Sequence, residues 1–233
     1  MKNLLYKEFK LSVHPLTYFF MALMALSALA PTFPAFVPLV YFGATYTFLF
    51  IGMNKTTTTN DLLYTCLLPI SRKQVVGARI FSTSVLQLIE LVIIFPLFLL
   101  NRFVFIEGML QTKPRNEIVF LQMLNIEHGI ALLGVFLICF AVFDLIYLPW
   151  FYKNGKSIIA NMLTAVLTML ILSGLLTFIP TQIPGLMDAL TIWSPKANYI
   201  IQITILLFGL AAWIGSKFLV RHLSTKNLVK LDF

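Results

Sequence analysis

The chain has 233 residues, of which 59% are hydrophobic and 11% charged, with a mean hydropathy of +0.90 and a formal net charge of +8. A soluble domain of this length needs far more charge to cover its surface. The basic residues sit in short gaps between apolar runs, which is how a membrane protein places them and excludes a nucleic-acid binder. Runs of roughly 20 apolar residues, enough to cross a bilayer, recur along the whole length. They predict an all-α, polytopic membrane protein with six transmembrane helices.

Residues 1–13 read as a short amphipathic helix lying on the membrane. At 100° per residue, Met1, Leu4, Leu5, Phe9 and Leu11 share one face, and Lys2, Asn3, Lys7 and Lys10 the other. Glu8 projects from the apolar face. It either snorkels to the headgroups or forms an ion pair with a basic residue elsewhere. Spans are predicted at 15–32 and 34–53, joined by the tight link Pro31-Thr32-Phe33-Pro34. Ala28-Leu29-Ala30 loosely resembles a cleavage site, but Pro31 follows it directly, so a removable signal peptide is not expected.

The polar stretch from Asn54 to Gln74 holds two helix starts. Thr59 or Asn60 caps a short helix, Asp61 suits its first turn and Pro69 ends it. Ser71 caps the next helix, with Gln74 completing a capping box. The short helix carries Leu62, Tyr64 and Leu67, and an apolar helix in water needs a cover. The cover is either the chain's own bundle or a docked cytosolic partner.

The third span is predicted at 75–100 and carries a polar stripe. Arg79, Thr83, Gln87 and Glu90 fall within roughly 80° of one face, which should point into the bundle or toward a second subunit. A polar segment from Asn101 to Asn125 precedes the fourth span, at 129–150. Asp144 lies about six residues, or roughly 9 Å, above that span's cytosolic end. Arg79 enters at similar depth, so an Arg79–Asp144 ion pair is the economical expectation. Glu90 sits about 11 residues, or roughly 16 Å, beyond Arg79. It is either held neutral by burial or borders a hydrated cavity. The second alternative makes Glu90, with Thr83 and Gln87, the candidate substrate path.

The fifth span is predicted at 157–179 and the sixth at 197–215, separated by a segment with three prolines and Trp193. A basic tail ends at Phe233. With the N-terminus inside, only Arg102, Lys113, Arg115 and Lys196 of the 17 lysines and arginines fall outside. This bias puts both termini in the cytoplasm.

Catalytic signatures are missing from the sequence. Gly155-Lys156-Ser157 would need a glycine at Trp150 to make a phosphate-binding loop. HExxH, GxSxG and clusters with metal-ligand spacing are absent, and His14, His128 and His222 are isolated. Cys66 and Cys139 are placed far apart and read as plain thiols. No enzyme and no cofactor are expected in this chain.

Two stretches carry a family resemblance: Leu4-Leu5-Tyr6-Lys7-Glu8-Phe9, and above all Leu68-Pro69-Ile70-Ser71-Arg72-Lys73-Gln74-Val75-Val76. With the six-span layout, they resemble the small permease subunits of ABC-2-type ABC transporters, in which a leucine-proline-x-serine-arginine-lysine stretch lies between spans two and three. The resemblance implies a cytosolic coupling helix just before Pro69 that docks on a separate ATPase subunit. It implies Asp61, Leu62, Tyr64, Leu67, Arg72 and Lys73 as the coupling interface. It further implies two ATPase copies carrying ATP and Mg, a second permease subunit, identical or paralogous, and a plasma-membrane location. Subunits of this kind occur in Gram-positive exporters of bacteriocins, lantibiotics and amphipathic toxins such as phenol-soluble modulins. The expected function is the permease of an ATP-driven exporter of amphiphiles. Alternatives are an ion-coupled secondary transporter and a non-transporting membrane scaffold or immunity protein.

Overall fold

The computed structural model describes residues 2–9, 19, 65, 70–101, 130–154, 158–190 and 195–230. The described residues form helices and connecting turns: α1 (Lys2–Lys7), α2 (Arg72–Asn101), α3 (Ile130–Asn154), α4 (Ile158–Gln182), α5 (Leu186–Leu190) and α6 (Tyr199–Lys230). Helices α2, α3, α4 and α6 are each long and apolar enough to cross a membrane. The chain is a helical membrane protein. The spans expected at 15–32 and 34–53, apart from Phe19, lie outside the described residues, as do Asp61, Leu62, Tyr64 and Leu67.

Helix α2 starts as its sequence dictates. The Gln74 backbone N–H donates to Ser71 Oγ at 3.3 Å, and the Ser71 N–H donates to Gln74 Oε1 at 3.1 Å. This reciprocal capping box satisfies two of the donors a helix start leaves open. Helix α3 is the centre of the bundle, with 67% of its apolar segment buried against 17% for α6. Phe143, Tyr147 and Phe151 recur along it with ring centroids 5.5 and 5.9 Å apart, and Tyr152 meets Phe151 edge-on at 5.0 Å.

Helix α6 would be inside-out in a water-soluble protein. Its buried face is Gln202, Gly209, Trp213, Ser216, Val220, Ser224 and Leu228. Its exposed face carries Ile200, Leu207, Phe208, Ile214 and Phe218. Lipid removes the hydrophobic reason to bury Leu and Phe, so small and polar residues take the helix contact. At Gly134 and Gly209 the backbones of α3 and α6 meet. A Cβ built on Gly134 falls 2.5 Å from the Ile205 carbonyl oxygen, and one on Gly209 falls 2.8 Å from Gly134 Cα. Only glycine fits at either position.

Contacts fix the relative directions. Gly134 meets Gly209 near one end of α3 and α6, and Asn227 Nδ2 donates to the Pro149 carbonyl at 2.8 Å near the other. The two helices therefore run parallel. Arg72, at the start of α2, donates from Nη1 to the Leu228 and Val229 carbonyls, both at 3.0 Å, so α2 runs antiparallel to them. The basic ends of α2, α3 and α6 thus share one side. At the other side, α5 occupies part of the proline-rich segment read as a connection. Gly185 turns the chain at φ +79°, the left-handed region that favours glycine. Asn198 caps α6, its Oδ1 accepting from the Ile200 and Ile201 N–H groups at 3.1 and 3.3 Å.

Among the described residues the largest departure from the expected bounds is at α6. Helix α6 continues 15 residues past the expected end at Gly215, to Lys230, because Ser216, Val220, Ser224 and Leu228 keep a buried face against the bundle. Of the helix expected over residues 1–13, Lys2–Lys7 are α-helical and Glu8 and Phe9 form π-type turns, and the rest lies outside the described residues. Its expected polar face is not all solvated. Lys7 is buried and donates to the Thr65 hydroxyl, and Glu8 is buried as well.

The glycine contact yields a prediction of opposite signs. Gly209→Leu should lower stability by about 1–3 kcal/mol through overpacking, read as a fall in the melting temperature in detergent. Gly77→Ala, where a Cβ meets nothing within 4 Å, should raise stability by up to about 1 kcal/mol.

Candidate functional site

The polar stripe of α2 points into the chain's own bundle. Arg79, Thr83, Gln87 and Glu90 are all buried, Gln87 at 0% and Glu90 at 1% exposure. Thr83 and Ser82 return their hydroxyl protons to the Arg79 carbonyl, the usual local satisfaction of such groups in an apolar helix.

Gln87 is the hub. Its Nε2 donates to Asp144 Oδ2 on α3 at 2.9 Å. Its Oε1 accepts from Trp213 Nε1 at 2.8 Å and from Lys217 Nζ at 2.9 Å, both on α6. Lys217 Nζ also pairs with Asp144 Oδ2 and lies 4.7 Å from the Trp213 ring centroid. One amide side chain therefore ties three helices together around a buried ion pair. The geometry uses both functions of the amide. Its oxygen faces two donors and its NH2 faces the carboxylate, so a leucine of similar size could replace neither. Asp144 is fully buried, and its other oxygen, Oδ1, has no hydrogen-bond partner among the described residues. The cluster thus has one acceptor to spare.

The expected Arg79–Asp144 pair is not formed. Arg79 instead pairs with Glu8, Nε to Oε2 at 2.6 Å, and its guanidinium carbon lies 5.8 Å from the Phe151 ring centroid. Asp144 pairs with Lys217. Arg79 and Asp144 were matched on depth alone, and the packing of α2 against α3 brings Gln87, two turns further along α2, to Asp144. Of the two accounts of Glu8, the ion pair is the one the structure holds. Lys217 was assigned to a cytosolic tail. The continuous α6 brings it to Asp144, on a stem long enough to reach inward.

The coupling residues that are described fall into two kinds. Lys73 is exposed. Arg72 is engaged within the chain, its guanidinium covering the last carbonyls of α6, where a cation also meets the negative end of the helix dipole. Thr65, inside the expected coupling segment, is buried and accepts from Lys7 of the N-terminal helix. Among the described residues no group of three or more His, Cys, Asp or Glu could hold a metal ion.

Sequence reasoning missed Trp213, Lys217, Gly134 and Gly209. For Trp213 and Lys217 a signal was present: i, i+4 spacing on the side of the helix that carries Gly209, Ser216 and Ser224. Comparison with protein-family models, with curated proteins and with solved structures finds no match.

The ion pair predicts strong non-additivity. Asp144→Asn or Lys217→Met alone leaves one buried charge without its partner and should cost about 3–5 kcal/mol. The double variant should recover most of that, a coupling that thermal unfolding of the four proteins of the cycle in detergent would measure. Additive losses would show that the two side chains act separately.

Proposed function

We propose that this chain is the permease subunit of an ATP-driven, ABC-2-type exporter in the plasma membrane, with both termini cytoplasmic. Its partners are two ATPase subunits, which carry ATP and Mg, and a second permease. Its cargo is an amphipathic peptide or a similar amphiphile. The resemblance of Leu68 through Val76 to that family supports the reading, as does the bundle of apolar helices.

The observation that carries the mechanism is a series of ties running from the segment before α2 into the bundle. Thr65 is held by Lys7. Glu8, next to Lys7, is held by Arg79 on α2. Ser71 and Gln74 lock the start of α2, and Arg72 clamps that start to the end of α6. A displacement of the segment before Pro69 by an ATPase would move α2 as a rod and reach Gln87 some four turns away, where three helices share one polar cluster. Thr83, Gln87 and Glu90 are buried, so a substrate path along this face requires α2 to part from α3 and α6 during the cycle. The ATPase has to meet a face of the coupling segment other than the one Thr65 presents to Lys7, and Asp61, Leu62, Tyr64 and Leu67 are assigned to it.

The second reading is an ion-coupled transporter, for which the buried Asp144–Lys217 pair is a charged site inside the membrane.

The test keeps Arg72 native, because reversing its charge would also uncap α6. Lys73→Glu combined with Tyr64→Ala should reduce co-purification of the neighbouring ATP-binding-cassette subunit by roughly tenfold, the effect of losing interface anchors worth more than about 1.4 kcal/mol. Stimulated ATP hydrolysis should fall with it. A complex that survives intact with undiminished hydrolysis overturns the coupling assignment. Substrate movement driven by a proton gradient without ATP would select the ion-coupled reading.

A further inference from the structure

The end of α6 beyond the polar cluster carries charge that the transport reading does not use. Lys73 of α2 and Phe218, Arg221, His222, Lys226 and Lys230 of α6 line an open groove of about 620 Å³. The α6 positions fall largely on one face, turned away from the buried Trp213, Ser216, Val220 and Ser224.

The upper part of this same face is apolar and exposed: Ile200, Leu207, Ile214 and Phe218. From Tyr199 to Phe218 the helix covers roughly 30 Å, the thickness of a bilayer's hydrocarbon layer. The first groove cation, Arg221, follows within one turn. The face therefore passes from acyl-chain contact to positive charge at the depth where lipid headgroups lie. The helix dipole accounts for a lysine at the very end, such as Lys230, but not for Arg221 on an earlier turn or for Lys73 on another helix. Arg72, beside Lys73, is turned onto the α6 carbonyls. The groove cations stay clear of the two ion pairs inside the bundle, Glu8–Arg79 and Asp144–Lys217, and no carboxylate among the described residues pairs with them.

We propose that this groove binds the headgroup of an anionic phospholipid from the leaflet at the basic end of the bundle. Lys73, Arg221 and Lys226 hold the phosphate, and an acyl chain lies along Phe218 and Ile214. A lipid is favoured over an acidic protein because the cationic surface continues a lipid-facing stripe without interruption, and Phe218 and Val229 put apolar walls among the charges. Lys73 is shared with the coupling interface proposed above, whereas Arg221 and Lys226 belong to this groove alone.

The full chain is placed in nanodiscs of phosphatidylcholine alone or mixed with phosphatidylglycerol, and lipid retained after extraction is counted by native mass spectrometry. The wild-type chain should retain phosphatidylglycerol in preference and melt at a higher temperature with it. The variant Lys73→Gln/Arg221→Gln/Lys226→Gln should lose roughly fivefold in affinity per charge removed, about a hundredfold together. Arg221→Lys should keep the preference. Lys226→Gln alone, with the roughly fivefold loss, carries the test if the triple variant does not fold. An unchanged preference in the charge-neutralised variants, or none in the wild type, overturns the proposal. Displacement of the lipid by an equal concentration of inorganic phosphate also overturns it, in favour of a soluble anion. So does loss of the preference when an acidic protein occupies the groove.

Discussion

A charge inside a membrane has to be answered by another group at the same depth, because water is not available to solvate it. The arrangement of α2, α3 and α6 follows from that requirement at Asp144. Its carboxylate is fully buried, and Lys217 answers it from α6 while Gln87 answers it from α2. Trp213 adds its N–H to the other end of the same amide. A shift of any of the three helices by one turn would leave a buried ion, an amide or an indole N–H without its partner. Polar contacts of this kind set register, whereas apolar contacts in lipid do not, since a leucine facing the wrong helix and a leucine facing lipid differ little in energy.

The rest of the bundle is consistent with the same solvent. Helices α4 and α6 turn their large aliphatic and aromatic side chains outward: Leu163, Leu167, Ile171 and Leu175 on α4, and Ile200, Leu207 and Phe218 on α6. The interior contact between α3 and α6 is made by Gly134 and Gly209, where the two backbones touch. The close approach brings α6 near enough for Trp213 to reach Gln87 and for Lys217 to reach Asp144. The glycine contact and the ion pair are thus two parts of one arrangement, the first permitting the distance that the second requires.

At the basic end the chain is tied together by groups that a simpler membrane protein would leave in the headgroup layer. Lys7 meets Thr65, Glu8 meets Arg79, Arg72 meets the end of α6, and Asn227 meets the Pro149 carbonyl. These ties join the N-terminus, the segment before α2 and the ends of α3 and α6 into one base. It also fixes the spacing of the basic groove, since Arg72 holds α2 beside α6 and so holds Lys73 near Arg221 and Lys226.

The helical membrane character, the polar face of α2 and the capping box at Ser71 were all legible in the amino-acid order. Each depends on residues within a few positions of one another: a run of apolar residues, a repeat near 3.6, a serine three residues before a glutamine. The burial of Arg79, Thr83, Gln87 and Glu90 followed from the same periodicity. Pairing was not legible in this way. Depth along a helix is countable from its end, and on depth alone Arg79 matched Asp144. Which residue faces which also depends on how each helix is rotated and how closely it approaches its neighbour. Those quantities were set by contacts between residues 75 positions apart, such as Gly134 and Gly209. Lys217 was hidden for a related reason: a lysine just past an apolar run reads as the start of a tail, and only the inward polar face of a continuing helix turns it toward Asp144. The amino-acid order by itself determined that the long apolar segments among the described residues are helical and which face of α2 is polar. The tertiary structure alone decided which charges neutralise one another, because a local sequence carries no information about the rotation of the helix packed against it.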